Sequence, residues 1–156
     1  GDSSTTASGT ASTANPIGAS VAIGYDDQSS GWDSVTYGVG NAASSDFTTA
    51  IGFSNTVSGS QSTAVGYNNT ANGDHATAIG HNNTASGLRS TAVGCDNHVT
   101  GNFASAFGYN CQSTGVASLA VGFQDYATNR EATAVGYQCS ASGDQSTASG
   151  YQDCFW

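Results

Sequence analysis

Small and large residues alternate along this chain on a short, strict cycle. Thr63-Ala64-Val65-Gly66-Tyr67 returns as Thr77-Ala78-Ile79-Gly80-His81 and again as Thr91-Ala92-Val93-Gly94-Cys95, each copy 14 residues after the last. Alternation with a period of two marks a β-strand, whose successive side chains point to opposite faces. Ala and Gly then share one face, and Thr, Val or Ile, and Tyr or Phe share the other. A second, shorter strand follows in each cycle, as in Asn69-Thr70-Ala71-Asn72-Gly73. The phase is held by Gly24, Gly38, Gly52, Gly66, Gly80, Gly94, Gly108, Gly122, Gly136 and Gly150, and by a second series seven residues later that includes Gly59, Gly73, Gly87 and Gly101. A helix is a poor host for this pattern, because each interior Gly costs about 1 kcal/mol and the β-branched and aromatic columns prefer strands.

A repeat of this kind predicts an all-β fold: a β-solenoid, or parallel β-roll, with 14-residue coils and two thin parallel sheets. Coils stacked at the ordinary strand spacing of ~4.8 Å would make a rod roughly 43 Å long between Gly24 and Gly150. The inner columns are small, with Ala64, Ala78 and Ala92 facing Ala71, Ala85 and Val99. The larger residues stand outside. One outer face carries Thr49, Thr63, Thr77, Thr91 and Thr133, then Ile51, Val65, Ile79, Val93, Val121 and Val135, then the aromatic column Tyr25, Phe53, Tyr67, Tyr109, Phe123, Tyr137 and Tyr151. The other outer face is polar, with Asn72, Asp74, Ser86, Thr100 and Asn102. One face wants burial and the other wants water, so self-association along the rod is expected. Residues 1–19 hold no clean register and read as an irregular Ser/Thr-rich leader or N-terminal cap. Residues 20–151 form the roll, and 152–156 a C-terminal cap with Phe155 and Trp156 as a hydrophobic plug.

Composition narrows the partners. Among 156 residues only 2 are Lys or Arg against 11 Asp or Glu, a formal charge of −9. Nucleic acid needs a basic patch to neutralise phosphate, and this chain has none. The apolar runs are too short to insert into a membrane. Charged residues make up 8% of the chain, well below the ~25% of an ordinary domain. High Gly, Ser and Thr content would suit a flexible linker, but a linker does not hold phase over so many cycles. The sequence shows no initiator Met and no signal-peptide pattern, and the expectation is a mature, exported product.

Several residues invite chemistry. Asn41, Asn55, Asn69, Asn83 and Asn97 stack at one turn position, where side-chain amides in register hydrogen-bond up the stack. Asn68-Asn69-Thr70 and Asn82-Asn83-Thr84 also read as glycosylation sequons. The four cysteines of an exported chain suggest disulfides. Cys139 and Cys154 are one coil plus one residue apart, which stacking brings to about 5–6 Å. Cys95 and Cys111 are one coil plus two residues apart, a looser match, with free thiols or a bridge between chains as the alternatives. Asp26, Asp27, Asp125 and Asp153 read as solvated turn acids. His75, His81 and His98 fall in different phases, so no metal site is expected. No catalytic set converges and no cofactor is implied.

These segments resemble a known family. Ser62-Thr63-Ala64-Val65-Gly66-Tyr67, Ala76-Thr77-Ala78-Ile79-Gly80-His81, Ser90-Thr91-Ala92-Val93-Gly94 and Ala132-Thr133-Ala134-Val135-Gly136-Tyr137 are similar to the YadA-like head repeats of trimeric autotransporter adhesins. The resemblance covers roughly residues 20–151. It implies a left-handed parallel β-roll whose Val/Ile face packs on a threefold axis, giving a homotrimer, and an extracellular, non-enzymatic adhesin or fibre module that meets a host surface, matrix or glycan. A weaker resemblance, carried by Asn68-Asn69-Thr70-Ala71-Asn72-Gly73 and Asn82-Asn83-Thr84-Ala85-Ser86-Gly87, is to plant antifreeze β-rolls. It implies the alternative of ice binding by a flat face built from Thr49, Thr63, Val65, Thr77, Ile79 and Thr91. Against that alternative, Ser105 and Leu119 interrupt the Thr column and the aromatic column crowds it.

Overall fold

The computed structural model describes residues 5–7, 13–14 and 19–155, with side-chain surroundings described for Ala14 and for residues 19–152. The chain winds into a parallel β-solenoid. Five-residue strands such as Thr49–Phe53, Thr63–Tyr67, Thr77–His81 and Thr91–Cys95 alternate with two-residue strands such as Thr70–Ala71 and Thr84–Ala85. Each strand pairs in parallel with its counterpart one coil on. Thr77 stands beside Thr63 and Thr91, Ile79 beside Val65 and Val93, and Gly80 beside Gly66 and Gly94. The stacked glycines and the two sheets are those the 14-residue cycle predicts.

The core is thin because it is made of alanine. Ala64, Ala78 and Ala92 are fully buried against Ala71, Ala85 and Val99. Glycine lets successive coils come this close. Gly66 has φ +124, a backbone conformation closed to L side chains, and a Cβ built on it would collide with the carbonyl oxygen of Gly80. A Cβ on Gly73, in the second series, would likewise strike the carbonyl oxygen of Gly87.

Both corners of every coil turn through a residue in the left-handed region, such as Asn68 (φ 53) at one and His75 (φ 58) at the other. At the second corner even Phe47 (φ 58) and Phe103 (φ 60) adopt it. The local cost is roughly 1–2 kcal/mol for a non-Gly residue, and hydrogen bonding between coils offsets it. The Asn68 N–H donates to the Phe53 carbonyl at 2.8 Å, that of His75 to Ser60 at 2.8 Å, and that of Phe103 to Leu88 at 2.7 Å. Turn amides are therefore satisfied along the rod as strand amides are.

At the N-terminus, Thr5–Ala7 pairs with Val21–Ile23 and Thr13–Ala14 with Gln28–Ser29, with spacings of 16 and 15 residues instead of 14. At the other end the last two long strands run on as Thr133–Ala141 and Thr147–Phe155. An irregularity between Tyr137 and Cys139 makes Cys139 the register partner of Cys154, absorbing the one extra residue in their spacing. The side chains of Cys154 and Phe155, and all of Trp156, lie outside the described residues, and with them the expected plug. No helix among the described residues is long and apolar enough to cross a membrane.

Candidate functional site

The outer face of the long-strand sheet is a set of straight columns. Thr49, Thr63, Thr77, Thr91 and Thr133 form the first and are partly exposed. Ile51, Val65, Ile79, Val93, Val121 and Val135 form the second, continued by Phe107. The chain leaves these side chains half-covered: Ile79 is 39% exposed, Phe107 38% and Val135 36%. In the third column Phe53 stacks on Tyr67 with ring centroids 5.2 Å apart, Tyr109 on Phe123 at 5.0 Å, Phe123 on Tyr137 at 4.8 Å and Tyr137 on Tyr151 at 4.8 Å. Tyr25 extends the same column at its start.

Inside the corner runs a ladder of amides. Asn41, Asn55, Asn69, Asn83 and Asn97 are buried, and each donates from Nδ2 to the Oδ1 of the residue one coil before, starting from Asp27. The ladder is longer than the asparagines alone. Asp27 precedes them at the same position, and Cys111, Asp125 and Cys139 follow at the 14-residue interval. The reading of Asp27 and Asp125 as solvated turn acids is corrected, since both are fully buried. The coil position decides this, and the same position already held the asparagines. Asp125 is accommodated by donors: Oδ1 accepts the Cys139 N–H at 2.7 Å and Oδ2 the Gly136 N–H at 2.9 Å.

The pairing of Cys95 with Cys111 is corrected too. Both are free thiols on opposite sides of the wall. Cys95 stands in the outward aromatic column and Cys111 in the inner ladder, where Sγ lies 3.3 Å from the Gly122 carbonyl oxygen and burial pushes its thiol pKa up. Two residues of phase turn a side chain round the corner, which the spacing alone concealed.

The histidines do not converge on one another, yet His81 does find partners. It occupies the aromatic column directly beside Cys95, with Nδ1 3.4 Å from Sγ. The Cys95 thiol donates to Asp96 Oδ2 at 3.3 Å. Nitrogen, sulfur and carboxylate oxygen all lie within 4.8 Å of one another. The expectation of no metal site compared histidine phases only, whereas Cys95 is one coil from His81 and Asp96 is its neighbour. The sequon residues Asn68 and Asn82 line the outside of the same corner. Asn68 Nδ2 donates to Asn82 Oδ1 at 2.9 Å, and Asn82 Nδ2 donates to Asp96 Oδ1 at 2.6 Å. Hydrogen bonds from Asn82 and then Cys95 hold the Asp96 carboxyl below its usual range, while desolvation and the bond to Asp96 raise the Cys95 thiol.

The family model described as YadA head domain repeat (2 copies) matches residues 43–69, 71–96, 85–110 and 127–152, more than half of the chain. The chain belongs to the YadA head repeat family. No curated protein matches it. YadA heads are structural adhesin repeats, not enzymes, of the surface-exposed domains of trimeric autotransporter adhesins. In this YadA head roll the defining Thr-Ala-Val-Gly-Tyr strand puts Ala and Gly into the core and Thr, Val and Tyr on the half-covered face.

Proposed function

We propose that this roll is a non-enzymatic, extracellular adhesion or fibre module that assembles as a homotrimer through the Ile51–Val65–Ile79–Val93–Val121–Val135 column and presents its polar short-strand sheet to a host surface, matrix or glycan. The observation that carries the reading is an unbroken apolar column, half-exposed along the length of the rod beside a column of exposed rings. A fully buried Val or Ile side chain is worth ~1.5–3 kcal/mol. With an alanine core, the chain has few other places to gain stability of that size. Threefold packing would cover the column and leave the Thr56, Thr70 and Thr84 side of each chain facing outward. The membership in the YadA head family supports the same assembly. Rings such as Tyr67, 50% exposed, and Phe53, 46% exposed, flank the Thr and Val/Ile columns on the Val/Ile side and weigh against a flat ice-binding plane.

Avidity makes the assembly testable through adhesion. Val65→Asp with Val121→Asp places like charges at the seam and is expected to split the trimer. Adhesion to immobilised matrix protein or a glycan array should then fall about 100-fold or more, because three linked sites become one. Undiminished adhesion by the split variant contradicts the reading. So does thermal hysteresis of the unaltered protein that Thr77→Tyr abolishes, which would make the Thr face an ice-binding plane.

A further inference from the structure

The aromatic column is interrupted at successive coils by His81 and Cys95, and Asp96 follows at the corner. Register places the imidazole and thiol side by side, and Tyr67 lies against the imidazole with ring centroids 5.1 Å apart. The carboxylate is oriented from behind. Asn82, itself hydrogen-bonded to Asn68, takes Asp96 Oδ1 and leaves Oδ2 turned to the thiol. Such outer hydrogen bonds are what fix ligating carboxylates in metal sites. A tetrahedral zinc ion with bonds of about 2.3 Å to sulfur and about 2.0–2.1 Å to nitrogen or oxygen would space these donors about 3.5 Å apart at its sulfur edges. The observed sulfur-to-nitrogen and sulfur-to-oxygen separations are 3.4 and 3.3 Å.

We propose that His81, Cys95 and Asp96 form a surface site for a borderline transition-metal ion of the zinc class. One nitrogen, one thiolate sulfur and one carboxylate oxygen is a donor set for such ions, whereas calcium or magnesium would call for oxygen ligands throughout. On binding, the Cys95 thiol proton leaves to bulk water and the metal takes the place of the hydrogen bond between Sγ and Asp96. The fourth position is left open to solvent. All three ligands come from one chain, so the site stands independently of the proposed trimer.

Cobalt(II) is the probe, because a cobalt–thiolate bond gives a charge-transfer band that carboxylate or imidazole ligation alone does not. Titration of the reduced 156-residue chain should saturate at one equivalent, and zinc should bleach the band. Cys95→Ser should remove it. His81→Phe restores the kind of ring this column carries elsewhere and should keep the β-roll circular dichroism while weakening cobalt binding at least tenfold. Asn82→Ala should weaken it by about tenfold by releasing the carboxylate. No charge-transfer band from natively folded protein overturns the site. A band that survives Cys95→Ser, and so belongs to another cysteine, overturns it equally.

Discussion

Asn69 is fully buried, and its amide is paired at both ends. Its Nδ2 lies 3.0 Å from Asn55 Oδ1, 3.1 Å from the Val65 carbonyl oxygen and 2.8 Å from that of Gly80, while its Oδ1 accepts from the Asn83 N–H and Nδ2, each at 3.0 Å. Asn69→Ala strands several of these groups, and each buried unsatisfied group costs about 1–3 kcal/mol. A loss of at least about 2 kcal/mol is expected in urea unfolding, read as a lower midpoint at unchanged slope. A loss below about 0.5 kcal/mol, the scatter of neutral surface changes, would show that the ladder is not what holds the corner. Cys111 adds a dependence on pH. Its folded pKa is raised by burial, so its contribution is complete below the ordinary thiol range and is lost as pH rises, because the unfolded chain gives up the proton first. Alkaline destabilisation should therefore be shallower in Cys111→Ala than in the unaltered chain. At this scale the asparagines of the ladder were legible in the sequence, because one residue type recurs at one interval. Asp27, Cys111, Asp125 and Cys139 were not, because a change of residue type hides a position that only the coil phase reveals.

The long strand is stabilised mainly by its neighbours one coil above and below. Phe123 stacks on both Tyr109 and Tyr137, whereas Phe53 has a single ring partner described, Tyr67. Stacked aromatic pairs contribute ~0.5–1.5 kcal/mol each beyond burial. Phe123→Ala should accordingly cost about 1 kcal/mol more than Phe53→Ala in parallel urea titrations, and equal costs would mean that the ring ladder contributes little. Gly66→Ala has a sharper outcome. The positive φ and the collision with the Gly80 carbonyl act together, and the loss should exceed the ~1–3 kcal/mol of ordinary overpacking. Strand positions and register could be read directly from the sequence, since glycine and alanine columns repeat without slip. The corners could not. Phe47 and Phe103 are poor residues for left-handed backbone by local preference, and their conformation is settled by hydrogen bonds from Phe47 to Trp32 and from Phe103 to Leu88 on the adjacent coil.

The whole rod is a one-dimensional stack in which each coil touches only its neighbours, so stability is set by coil-to-coil contacts and by whatever covers the outer face. An alanine core contributes little apolar burial per coil, and the half-exposed Val/Ile column, with the rings beside it, is an unused reserve. The stability of the rod therefore turns on whether copies of the chain share that column. The mass of the reduced 156-residue chain in solution, measured by multi-angle light scattering at low micromolar concentration, tests this most directly. The prediction is three times the chain mass of 15.5 kDa, falling to a single chain in the Val65→Asp, Val121→Asp variant. A stable, folded monomer of the unaltered protein at the same concentration would contradict it.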